Sequence, residues 1–206
     1  MSAGDVALCN AALLLLGEET IDAFDDGTSV GSSCGQLWEL CTTNLQAIFP
    51  WRFNTRQQQL ARVEDASPVG WTYAYQLPSG IITLRGLATD YRPHAAPVAA
   101  WERAGSQVLC NDEAVWATYQ VALDPVEWPG PFALLARYAL AAELALPVTG
   151  KADLMDVWNR RAFGGPLDRG VGGQFLTAMQ YDGQQQTPQI IDTNMFIAVR
   201  LGGSGP

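Results

Sequence analysis

The apolar positions of the chain keep a helical period, switch to a period of two, and then return to a helical one. Leu8, Ala11, Ala12, Leu15 and Leu16 follow the i, i+3, i+4, i+7, i+8 spacing of one helical face, which predicts a helix over residues 3–16. Gly17 stands just beyond it as a left-handed stop. The segment EETIDAFDDGTS reads as an acidic loop in which Asp26, Thr28 or Ser29 can cap the next helix. That helix, residues 29–49, sets Val30, Cys34, Leu37, Trp38, Cys41, Leu45, Ile48 and Phe49 at helical spacing, and Pro50 ends it. Two helices joined by a short loop are expected to pack antiparallel on these stripes.

From Trp71 the pattern alternates: Trp71, Tyr73, Tyr75 and Leu77 against Thr72, Ala74 and Gln76. Segments 81–87, 97–103, 106–110 and 114–121 continue it, with Ala104–Gly105 and Asn111–Asp112 as hairpin turns, and together predict an antiparallel β-meander inserted between helices. Helical character returns after Trp128–Pro131, with Pro131 suited to a first turn. Between Phe132 and Leu146 only Arg137 and Glu143 are charged, so this helix is apolar nearly all round and is expected to be buried on most sides.

Another helix starts near Lys151, with Leu154, Met155, Trp158 and Ala162 inward, before Gly164, Gly165, Pro166, Gly170, Gly172 and Gly173 interrupt it. The glycines at 170–173 read as a hinge. Beyond residue 180 the chain is rich in Gln, Pro and Gly. Ile191, Met195, Ile197 and Val199 alternate there like a strand in need of a partner, the pattern of an inter-subunit arm. The expected fold class is α+β: an N-terminal helical hairpin (1–50), an inserted β region or small β-domain (51–125), C-terminal bundle helices (126–180) and an extended arm (181–206).

Composition sharpens this picture. The chain has 206 residues and is 48% apolar, enough for one cored domain or a small domain carrying an insertion. Only 16% is charged, against roughly a quarter in an average soluble protein, so much of the outer surface is expected to be covered by other protein. Seven Trp point the same way. The net charge of −9 is lopsided: residues 1–51 hold Asp5, Glu18, Glu19, Asp22, Asp25, Asp26 and Glu39 and no Lys or Arg. No cluster of cations is present to grip phosphates, so stable DNA binding is not expected, although DNA could slide past a wall of carboxylates. Glu18, Glu19, Asp22, Asp25 and Asp26 are therefore candidate channel-lining or docking residues.

No basic stretch followed by an apolar run opens the chain, and the Leu13–Leu16 run falls far short of the ~20 residues of a membrane span. Neither a secretory signal nor a membrane partner is expected. Cys9, Cys34, Cys41 and Cys110 lack metal-ligand spacing and read as small buried hydrophobes, reduced in a cytoplasm.

Catalytic signals are sparse. His94 is the only histidine, with no acid or nucleophile at motif spacing, and there is neither a G-x-S-x-G elbow nor a phosphate-binding loop. Asp22, Asp25 and Asp26 before Gly27 lack the alternating register and terminal Glu of a calcium loop. No catalytic residue, cofactor or metal is expected.

The stretch ALCNAALLLLGEETIDAFDDGTSVGSSCGQLWELCTTNLQAIFPWRFNTRQQQLA resembles the start of the tail tubular protein A family, the head–tail adaptors of short-tailed bacteriophages. The likeness lies in a helix ending at Leu16-Gly17, Ile21 with its acidic loop, and a long helix running into Pro50, Trp51 and Phe53. GWTYAYQLPSG is similar to the family's Trp-x-Tyr-x-Tyr-x-Leu-Pro strand, and the likeness spans roughly residues 6–85. It implies a helical bundle with an inserted β region and a dodecameric ring between portal and tail nozzle that encloses the DNA channel. It also implies a virion location, assembly in the host cytoplasm and no enzymatic activity. The glycines at 164–173 depart from the family's helix. Other readings are the adaptor of a long-tailed phage, a small virion-associated hydrolase or binding module, and a monomeric domain.

Overall fold

The computed structural model describes residues 2–64, 69–92 and 95–184; Ile191, Met195, Ile197 and Val199 of the expected arm lie outside them, as does His94. The fold is α+β, with helices and antiparallel sheets. Helices α1 (Ala3–Leu16) and α2 (Ser29–Ile48) come first, followed by seven strands. These are β1 (Thr55–Gln59), β2 (Ala61–Arg62), β3 (Tyr73–Gln76), β4 (Ile81–Ala88), β5 (Trp101–Ala104), β6 (Gln107–Cys110) and β7 (Trp116–Val121). Helices α3 (Gly130–Leu144), α4 (Ala152–Phe163) and α5 (Gly173–Gly183) complete the order.

Helix α3 is the axis of the bundle. Leu135, Ala136, Leu140, Ala141 and Leu144 along it are fully buried, and α1, α2, α4 and α5 all pack on it. A helix without a polar side offers more apolar surface than any single stripe, so α1 and α2 lean on α3 more than on each other. The expected α1–α2 hairpin packing is corrected accordingly. Segment Gly130–Thr149 has the length and hydropathy of a membrane span, but what surrounds it is the bundle. On α1 the buried face is Cys9, Ala12, Leu13 and Leu16, while Leu8, Ala11 and Leu15 are half-buried. Two residues expected inward, Ile48 and Met155, are 53% and 38% exposed.

The β region is a small two-sheet domain and not a single meander. One sheet has the order β1-β7-β4 and the other β2-β3-β6-β5, all antiparallel. They close on a second core that includes Tyr75, Leu87, Val108, Cys110, Val115 and Tyr119. Ala104–Gly105 makes the β5–β6 hairpin, with Gly105 at φ 61°. Asn111–Asp112 instead carries the chain from one sheet to the other, and the Asn111 Oδ1 accepts from the Thr72 N–H and hydroxyl, both at 3.0 Å.

Pro50, Trp51 and Phe53 form the corner where α2 becomes β1. Trp51 is fully buried, donates to the Leu45 carbonyl at 2.8 Å, and its ring meets Phe49, Phe53, Phe132 and Phe175 at centroid distances of 4.7–6.2 Å. Trp38, Trp128 and Trp158 are buried as well, so four of the seven tryptophans fill the subunit interior and not its outside.

Behind this corner three buried amides join the helical core to the β core. The Gln120 side-chain N–H groups reach the Asn54 Oδ1 at 2.7 Å, the Phe49 carbonyl at 2.8 Å and the Gln46 carbonyl at 3.1 Å. Arg85 donates to the Gln120 Oε1 and to the Ala47 carbonyl, each at 2.6 Å. The Gln46 side chain bonds both the N–H and the carbonyl of Leu123, at 2.8 and 3.3 Å.

The glycines after α4 build a tight corner, not a hinge. A Cβ on Gly173 would stand 2.6 Å from the Arg161 carbonyl oxygen and 2.8 Å from the Gly164 nitrogen, and one on Gly172 would stand 2.7 Å from the Asp168 side chain. Gly172 donates to the Phe163 carbonyl at 2.9 Å, which folds α5 directly back onto α4. At the far end of α5, the buried Asp182 carboxylate accepts from the Arg52 N–H at 2.9 Å, and burial raises its pKa despite that bond.

Two substitutions test these assignments. Gln120→Leu strands several buried acceptors and is expected to cost roughly 2–4 kcal/mol, about 10 °C in Tm, by thermal and urea denaturation. Gly173→Ala combines a positive φ with a backbone collision and is expected to cost on the order of 3 kcal/mol, against about 1 kcal/mol for Gly105→Ala, where nothing stands within 4 Å. Equal effects at the two glycines would restore the hinge.

Candidate assembly surface

The acidic loop between α1 and α2 is pinned at two points. Asn10 on α1 holds Ile21 through both its side-chain groups, accepting from the Ile21 N–H and donating to the Ile21 carbonyl, each at 2.9 Å. Asp26 accepts from the Thr28 N–H at 2.8 Å and the Thr28 hydroxyl at 2.6 Å, while Thr28 Oγ1 accepts from the Gly31 N–H and caps α2. Gly31 is required beneath, since a Cβ there would stand 2.5 Å from Asp26 Oδ1. These bonds give Asp26 a structural role, and Thr28 holds its carboxyl below the ordinary carboxylate range. Glu18 is half-buried; Glu19, Asp22 and Asp25 remain exposed on a fixed frame.

A groove runs between α2 and α4, which flank α3 without closing over it. Leu37, Leu40, Cys41 and Asn44 face Ala139, Glu143 and Phe163 across about 360 Å³. It continues past Ile48 to Asp156, Asn159, Arg160 and Phe163, where the open volume is about 500 Å³. Leu40 on its lip is 71% exposed. Sequence periodicity had placed Ile48 in the core; the structure puts it on this lip.

On another side of α4 lies a stack that the sequence did not announce. The Arg137 guanidinium sits 5.3 Å from the centroid of the Tyr138 ring, Tyr138 stacks on Trp158 at 5.7 Å and 26°, and the Arg161 guanidinium sits 5.0 Å from the Trp158 ring. Among the described residues, Arg137 Nε and Trp158 Nε1 are buried with no hydrogen-bond partner. The only available signal was Arg137, which with Glu143 supplies all the charge of that helix; the second ring of the stack, Trp158, lies on the next helix.

The cysteines are all free: Cys9, Cys34 and Cys110 are buried, and Cys41 is half-buried. Hydrogen bonding to Cys34 and burial raise the Cys9 thiol, and burial pushes Cys41 up to about 12. No three His, Cys, Asp or Glu side chains gather into a metal-binding group among the described residues. No protein-family model matches this chain, and no curated protein matches it either.

The Asp26 bonds give a signed pH dependence. With its folded pKa below 3.8, Asp26 contributes stability that is present above pH 3.8 and disappears as pH falls through the lower folded value. NMR titration of its carboxyl carbon is expected to show a midpoint below 3.8, moving back toward that value in Thr28→Val. A wild-type midpoint at or above 3.8 contradicts the assignment.

Proposed function

We propose that this chain is the head–tail adaptor of a bacteriophage. It is a structural virion protein whose copies close into a ring, dodecameric as in the family it resembles, between portal and tail nozzle and around the DNA channel. Assembly takes place in the host cytoplasm.

The observation that carries this reading is the motif run Leu16-Gly17, Pro50-Trp51-x-Phe53 and Trp71-x-Tyr73-x-Tyr75-x-Leu77-Pro78. In this subunit Trp51 and Tyr75 are fully buried and anchor the two cores, so the motif specifies a framework. A recurring motif spent on framework suits a protein whose task is to hold a shape.

Two further features support it. A ring made by one repeated contact needs two different faces on each subunit, and the fixed acidic loop and the arginine–aromatic stack on α3 and α4 are distinct surfaces of this kind. A chain with net charge −9 and no cation before Arg52 is also suited to let DNA pass without retaining it.

The test is to mix the purified chain with the portal protein of the same phage and examine the product by negative-stain electron microscopy. A second ring stacked coaxially on the portal is the expected product. Portal rings that stay bare at saturating concentrations of the chain would overturn the proposal.

A further inference from the structure

Trp158 is only 9% exposed, yet its indole N–H has no acceptor among the described residues, and the buried Nε of Arg137 is in the same position. Neither nitrogen is open to an incoming acceptor, so what the stack presents outward is the exposed Arg161 guanidinium. Guanidinium groups stacked on rings keep their in-plane N–H groups directed outward, the arrangement that grips carboxylates. Helical spacing puts Leu154 and Val157 beside Trp158 and Arg161 on this side of α4, whereas Asp156 faces the α2 groove. No ion pair within 4.0 Å involves Arg137 or Arg161 among the described residues.

The complementary surface is on the same chain. Glu19, Asp22 and Asp25 are exposed carboxylates with no ion-pair partner within 4.0 Å among the described residues. Their loop is tied to α1 by Asn10 and to α2 by Thr28, and among the described residues none of these carboxylates pairs with Arg137 or Arg161 of its own subunit. We infer that the Arg137–Tyr138–Trp158–Arg161 face receives the acidic α1–α2 loop of a second copy of this chain. The inference rests on the ring reading above and names the contact that closes the ring.

Each subunit then carries both halves of a heterologous, head-to-tail contact, the type that propagates around a closed circle. The loop is already rigid before it binds, so little ordering entropy opposes docking. Nucleic acid could also offer anionic acceptors, but a chain of net charge −9 repels it at long range.

A charge-swap experiment on portal-templated assembly tests this, with ring yield read by electron microscopy. Arg161→Glu alone, and Asp22→Arg with Asp25→Arg, are each expected to lower ring yield about ten-fold. An equimolar mixture of the two is expected to restore it, because each defective face then meets a matching one. Arg161→Lys keeps the charge and removes the planar fork; it should weaken assembly several-fold while leaving the monomer Tm unchanged.

If the single-face variants assemble like wild type, this contact is wrong and the ring reading stands. Loss of assembly without rescue in the mixture overturns the charge pairing. If wild type forms no ring beside the portal, the ring reading fails and this contact falls with it. A wild-type chain that instead retards duplex DNA in a gel, with Arg161→Glu abolishing the retardation, assigns the face to nucleic acid and overturns the inference.

Discussion

Gln46, Asn54 and Gln120 are amides buried where two apolar cores meet, and almost everything about the molecule's shape depends on their being satisfied. Hydrophobic contact alone is non-directional and would let the β domain settle on the bundle in many ways. A buried amide is intolerant by comparison, because only one placement of Gln120 reaches the Phe49 carbonyl, the Gln46 carbonyl and Asn54 together. Arg85 closes the network from the solvent side. The apolar cores supply the bulk of the stabilisation, and the polar seam between them selects one relative orientation.

How much of this could be read from the sequence depended on the range of the interaction that fixed each element. Helices α1, α2, α3 and α4 were legible because their apolar spacing is a local property. The buried face of α1 was not, since its residues are apolar on several sides and only contact with α3 selects Cys9 and Leu13. Strands β3, β4, β6 and β7 left an alternating pattern, but their sorting into two sheets depends on pairings between distant segments. Strand β1, Thr-Arg-Gln-Gln-Gln, is exposed along most of its length and carries no apolar period at all. Helix α5 was hidden behind glycines that suggested looseness, because sequence alone cannot separate a glycine that permits motion from one that permits close approach.

The candidate surface was legible in charge and illegible in geometry. A run of carboxylates without a single cation marked the α1–α2 loop, and position marked Asp26, Thr28 and Ser29 as capping candidates, but not that Thr28 caps while Asp26 braces it. The aromatic argument needed the larger revision. Trp38, Trp51, Trp128 and Trp158 furnish the subunit's own interior, so the case for a covered exterior rests on scarce charge and on aliphatic residues such as Leu40 and Ile48. The stack at Trp158 could not have been foreseen, because it exists only once α3 and α4 lie side by side.

The corner at Gly164, Gly172 and Gly173 has a mechanical consequence. With backbone against backbone at Gly173 and the Asp168 side chain filling the space beside Gly164 and Gly172, α4 and α5 form a stiff lever. Its far end is fastened through Asp182 to Arg52, beside the turn where the bundle gives way to the β domain. The outer side of α4 is thereby joined to that turn through packed backbone, one helix and a buried carboxylate.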